Sequence, residues 1–261
     1  MTDNDESICE NDARGMVRLL GETAALEGGH AEKKRYLMNG IAELIGAEAW
    51  VWGLCCDVTP GVQQSYVNLI HSGFDDLRLA RFFTAFSHPR MGAPVEQFYQ
   101  ALADEGEVTM KRSEIDPNDM VGQDEELAGL WADADIGPVI MSGFRLDETS
   151  ASCLALYRRV GEVPFTAREL ALSHIVLSEV QWLHQSGWPE DRGATVPTLF
   201  PRQRTVLNLL LDGLSRKQIA HCLEISENTV SGYAKDIYRH FSVNSQPELM
   251  QKFMRRYVRS A

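Results

Sequence analysis

Residues 186–198 read SGWPEDRGATVPT, with two glycines, two prolines and no apolar periodicity, so neither a helix nor a strand can run through them. This stretch divides the chain into unequal bodies and is expected to be a linker. A length of 261 residues exceeds the usual single-domain size of about 100–150. Charge divides at the same place. From Leu199 onward there are ten Lys or Arg and five Asp or Glu, a balance of +5. The preceding residues hold fifteen and thirty-two, a balance of −17, which together with +5 gives the net −12. A polyanion is repelled by the first body and attracted by the second.

Other classes are excluded by composition. Hydrophobic residues make up 44% and charged residues 24%, an ordinary globular mixture. No apolar run approaches the roughly 18 residues that span a bilayer, and the polar, acidic start lacks the apolar core of a secretory signal. A cytoplasmic protein without membrane partners is expected. The five cysteines, at 9, 55, 56, 153 and 222, show no zinc-site spacing and are odd in number, so reduced thiols and no metal are expected. His71, His88 and His174 are scattered, with no nucleophile motif or phosphate-binding glycine loop. No catalytic residues and no cofactor are expected, and the protein is read as a non-enzyme.

Within 1–185, periodicity predicts helices over 13–26 and 31–45, strands over 49–58 and 63–72, then helices over 75–86 and 95–104. A strand over 108–115, a helix over 124–132, strands over 138–146 and 152–160 and a closing helix over 166–185 follow. The last strands are joined by a hairpin-length connection at 147–151. Strands interleaved with helices imply a mixed α/β domain with a mainly antiparallel sheet. The stretch 152–170, SCLALYRRVGEVPFTAREL, places a final strand, a Pro-Phe-Thr turn and a long helix in succession. It resembles the C-terminal part of GAF or PAS-like sensor domains, which implies a sandwich with ligand space between sheet and covering helices.

The segment 199–261 reads as four helices. Pro201 suits the first turn of a helix whose apolar face is Val206, Leu207, Leu210 and Leu211, and Gly213 suits its end. Ser215 caps a second helix carrying Ile219 and Ala220, and Ser226 caps a third over 227–241. A fourth runs over 245–257. Two short helices joined by a tight turn place the later one where it can enter a major groove. Through the framework Gly-Leu-Ser, Ile-Ala, Leu, Ile-Ser and Thr-Val, this segment resembles the LuxR-type helix-turn-helix domain almost position by position.

That resemblance implies an α+β chain with a C-terminal all-α domain, acting as a transcriptional regulator on double-stranded DNA. It also implies a homodimer, with RNA polymerase as a further partner. Val230, Ile237 and Phe241 would face the core. Ser231, Gly232 and Lys235 would reach base edges, and Lys217, Thr229 and Tyr233 would hold phosphates. The chain departs from the family at Gln203 and Thr205, where Glu is common, at Ser231, where Lys is common, and at Tyr233, where His is common.

For the N-terminal body, the expected small-molecule pocket draws on Trp50, Trp52, Phe83, Phe86, Phe98 and Tyr99. Trp50 and Trp52 share one strand face at period two, so core packing is the alternative. The LuxR-type resemblance also implies, for quorum-sensing members of that family, acyl-homoserine lactone binding through a Trp, Tyr, Asp-Pro and second Trp set. Here no tyrosine follows the tryptophans at four residues and the turn at 72–76 lacks Asp-Pro, so lactone binding is disfavoured. A domain serving only dimerisation or protein interaction is the other reading.

Overall fold

The computed structural model describes residues 7–56, 65–187 and 199–254. Helices α1 (Glu10–Ala25) and α2 (His30–Ile45) lead into strands β1 (Ala49–Cys56) and β2 (Ser65–Ser72). Helix α3 (Asp76–Phe86), a 3-10 turn at Pro89–Gly92 and α4 (Glu96–Glu105) precede β3 (Glu107–Lys111). Short helices α5 (Arg112–Ile115) and α6 (Met120–Gln123), then α7 (Glu125–Asp133), connect to the hairpin of β4 (Val139–Arg145) and β5 (Ser150–Tyr157). Helices α8 (Ala167–Ser178) and α9 (Gln181–Gln185) complete this part. The remainder is α10 (Pro201–Leu211), α11 (Arg216–Cys222), α12 (Glu227–His240) and α13 (Gln246–Met254).

The five strands form one antiparallel sheet in the order β2-β1-β5-β4-β3. Every residue of β5 is buried, as a strand with neighbours on both edges and helices on both faces requires. The two layers are read from β1. Trp50 Nε1 donates to Asn39 Oδ1 of α2 at 2.8 Å, and the Trp52 ring lies 5.0 Å from His184 of α9. Cys55, on the opposite face, sits 3.6 Å from the Tyr99 hydroxyl of α4. Thus α1, α2, α8 and α9 cover one face, and α3 to α7 the other.

Arg158 locks the end of β5. Its guanidinium donates to the carbonyls of Ile45 at 2.5 Å, Gly46 at 3.1 Å and Val163 at 3.0 Å, pairs with Glu169 at 2.6 Å and lies 4.2 Å over Phe165. Orphan carbonyls at the end of α2 are thereby satisfied by one buried cation. Thr166 and Glu169 form a reciprocal capping box that starts α8. Arg168 pairs with Asp12 of α1, and this guanidinium holds the Asp12 carboxyl far below the usual carboxylate range. Gly73 adopts φ +85°, and a Cβ there would meet the Glu48 carbonyl at 2.1 Å.

Several expectations are corrected. The continuous helix expected over 166–185 breaks at Glu179 and Val180, and the break turns Leu183 and His184 into the core. The strand expected over 108–115 ends at Lys111, where the Glu114 carboxylate accepts the Lys111 N–H at 2.9 Å and starts α5. Asp116 then accepts the N–H groups of Met120 and Val121 at 2.8 and 3.0 Å, folding a loop that sequence periodicity does not signal. The expected linker from 188 to 198, and the ends expected at 57–58, 63–64 and 255–257, lie outside the described residues.

Candidate nucleic-acid interface and ligand cavity

Each helix of the C-terminal part starts and stops on local chemistry. Gln203 accepts the Phe200 N–H at 3.1 Å ahead of α10, and Pro201 occupies the first turn. Gly213, at φ +92°, lets the Leu214 N–H return to the Leu209 carbonyl at 3.0 Å. Ser215 and Gln218 cap each other at the start of α11. Ser226 Oγ accepts the Thr229 N–H at 3.1 Å at the start of α12. Val230, Ala234, Ile237, Tyr238 and Phe241 are buried, and Gln246 of α13 donates to the carbonyls of Leu210 and Leu214 at 2.9 and 3.0 Å.

This packing leaves a polar face on α12. Thr229, Gly232 and Lys235 are exposed and Ser231 is half-buried, with Ser231 and Lys235 one helical turn apart. Lys217 is exposed in the first turn of α11. The Thr229 hydroxyl also lies 2.8 Å from Ser226 Oγ. Nothing lies within 4 Å of a Cβ built on Gly232, so packing does not require a glycine there. Tyr233 is set apart from the others: it is half-buried and lines a cleft of about 530 Å³ that also includes His88, Glu126 and Leu130.

Residues 197–253 match the family model described as bacterial regulatory proteins, luxR family. The C-terminal part carries a luxR-type helix-turn-helix domain. The transcriptional regulatory protein FixJ of Bradyrhizobium diazoefficiens is 38% identical over 66 residues, covering 25% of this chain and 32% of FixJ. The chain therefore matches about a third of the length of that curated relative. Among solved structures, Escherichia coli SdiA is similar at a TM-score of 0.45 and 14% identity, over 94% of this chain and 99% of that one. The VqsR LBD domain from Pseudomonas aeruginosa aligns at a TM-score of 0.45 and 15% identity, over 68% of this chain and 96% of that one.

Outside the luxR-type domain, a cavity of about 60 Å³ lies between the sheet and the layer of α3 to α7. Phe86, Tyr99, Trp131, Met141 and Tyr157 line it, with Arg112 among the lining residues. Of the residues expected around a pocket, Phe86 and Tyr99 reach this one. Trp50 and Trp52 face the opposite layer, Phe98 packs beside Gly143, and Phe83 is buried in the core. Sequence reading missed Trp131 and Tyr157. Tyr157 is 4% exposed, and burial pushes its phenol well above the ordinary tyrosine range. Among those residues, too, no group of His, Cys, Asp or Glu could hold a metal, and no helix is long and apolar enough to cross a membrane.

Proposed function

We propose that this chain is a sequence-specific DNA-binding transcriptional regulator that acts as a homodimer on promoter DNA and communicates with RNA polymerase. One observation carries the reading: a capped pair of helices in a luxR-type domain presents Lys217, Thr229, Ser231, Gly232 and Lys235 at its surface. Ser231, Gly232 and Lys235 read base edges, whereas Lys217, Thr229 and Tyr233 hold phosphates, which need donors or positive charge. The N-terminal body is a GAF/PAS-like sensor. Its cavity supports a compact, largely apolar ligand, since about 60 Å³ falls below the roughly 150 Å³ that accommodates benzene in an engineered cavity.

Selection of genomic fragments by the purified full-length protein tests the first part. A recurrent inverted repeat, bound with an affinity that falls steeply with salt, is the expected result. Fragments recovered without a shared sequence would sink it.

A further inference from the structure

The charge on the cavity wall comes from one short turn. Arg112 and Asp116, at the two ends of α5, are the charged residues among those that line it. The Arg112 guanidinium lies 3.7 Å from Asp116 Oδ2 and 3.9 Å from Asp119 Oδ1. Both separations exceed hydrogen-bond length, and among the described residues this guanidinium donates no hydrogen bond. It therefore keeps its planar fork of N–H groups, a shape that fits a carboxylate. Asp116 accepts the N–H groups of Met120 and Val121, one on each oxygen, which fixes the carboxylate and still leaves lone pairs on both oxygens. The two groups balance in charge, with donors on one side and acceptors on the other.

Away from this pair the wall is apolar and stiff. Phe86, Trp131 and Tyr157 pack around the buried Phe82 ring at centroid distances of 5.5, 5.9 and 5.7 Å. Trp131 Nε1 is spent on Met91 Sδ at 3.4 Å, and the Tyr99 hydroxyl lies 3.6 Å from Cys55 Sγ. On the scale of the roughly 150 Å³ that takes benzene, about 60 Å³ admits about two or three carbons. The Arg112 side chain is 36% exposed, so a charged head in contact with it stays at the mouth and escapes the full desolvation cost of a buried ion.

We propose that this cavity takes a small zwitterion, an α-amino acid with a short apolar side chain such as L-valine. Its carboxylate sits on the Arg112 guanidinium, its ammonium on Asp116 and its side chain among Phe86, Trp131 and Tyr157. The inference rests on the sensor reading above and gives its ligand a chemical class. Charge complementarity selects that class. A simple carboxylate would satisfy Arg112 but meet the Asp116 charge beside it, and a simple amine would satisfy Asp116 but meet Arg112. A ligand carrying both signs satisfies both groups and leaves the mouth neutral.

The test uses the full chain, with thermal unfolding read in the presence of millimolar additives. L-Valine is expected to raise the midpoint by about 2–4 °C, and L-valinamide, isovalerate and the oversized L-phenylalanine by less than about 1 °C. Arg112→Gln, with folding checked by circular dichroism, should need at least about tenfold more L-valine for the same shift, because a charge-assisted pair is lost. It should respond to isobutanol as the parent does, since that neutral probe fills the apolar part alone. A shift from L-valinamide or isovalerate equal to that from L-valine overturns the inference, and this ranking on the parent decides even if the variant does not fold. An undiminished L-valine shift in folded Arg112→Gln overturns it as well. Stabilisation by isobutanol with none by L-valine does the same while the ligand-binding reading stands. If no probe stabilises the parent, isobutanol included, that reading falls too.

Discussion

The indole N–H of Trp52 donates to the Ser152 hydroxyl at 2.8 Å, joining β1 to β5 across 100 residues of chain. The same hydroxyl lies 2.9 Å from His184 Nδ1 on α9. One small side chain therefore satisfies two large buried ones. Ser152→Ala leaves both without that partner and is expected to cost about 2–4 kcal/mol, read as a lower urea midpoint at unchanged slope. A midpoint equal to the parent's would show that the bond contributes nothing to stability.

Stability should also fall on mild acidification. Burial, followed by the Lys34 charge, pushes His184 from its ordinary 6.5 down to about 3. Between those values only the unfolded chain takes up the proton, so this contribution is intact above 6.5 and lost progressively as pH drops. At pH 5 the loss is about 2 kcal/mol relative to neutral pH. His184→Gln should flatten the decline between neutral pH and pH 5, and an equally steep profile in that variant would exclude His184 as its source.

Gly73 turns the chain between β2 and α3 at a φ that L side chains rarely adopt, against the backbone of Glu48 and Ala49. Gly73→Ala combines that conformational strain with a backbone clash and should cost about 2–4 kcal/mol. Thermal unfolding measures it. Gly106, also at positive φ but with open space around its Cβ position, provides the comparison and should lose less.

On DNA, Lys235→Ala and Ser231→Ala should change preference among operator variants by about 1–3 kcal/mol where a base contact is lost, whereas Lys217→Ala should weaken every sequence together. Gly232→Ala separates folding from recognition. It should stabilise α12 by up to about 1 kcal/mol, because nothing in the protein opposes the added methyl, yet weaken operator binding by crowding the groove. Competition assays over a set of single-base operator variants decide between these roles. Parallel losses for all four variants would remove the assignment.

Tyr157→Phe removes a hydroxyl from a residue that lines the cavity, so equilibrium stability should change by no more than about 1 kcal/mol. Any metabolite that raises the melting temperature of the parent through a hydrogen bond to that hydroxyl should lose most of its effect in the variant. Undiminished stabilisation would move the polar anchor of the cavity elsewhere, with Arg112 the next position to substitute.

The C-terminal part was the most legible because its signals are local. Ser215, Ser226, Pro201 and Gly213 act within a few residues of themselves, and the burial of Val230, Ile237 and Phe241 follows from helical spacing. In the N-terminal part, period-two alternation correctly put Trp50 and Trp52 on one side of β1 but could not say which helical layer that side meets. The same ambiguity hid Tyr157, whose place on the cavity side depends on the register between β1 and β5. The break between α8 and α9 carries neither proline nor glycine and is legible only once His184 is seen to reach Ser152. Thr205 stands out in sequence only as a departure from the Glu common in the family; its burial comes with a contact to α3, where it donates to a carbonyl 122 residues away.

The place of β1 beside β5 bears on how the chain emerges during synthesis. β1 can pair with β2 almost at once, but its other edge waits for a partner about a hundred residues downstream, roughly 5 to 20 seconds at ordinary elongation rates. During that interval AWVWGLCC, which carries no charge, exposes one row of unpaired backbone groups. Yield of native protein should therefore be limited by this interval, improving with chaperone capacity or cooler growth, and the ribosome must deliver the hairpin of β4 and β5 before the sheet can close.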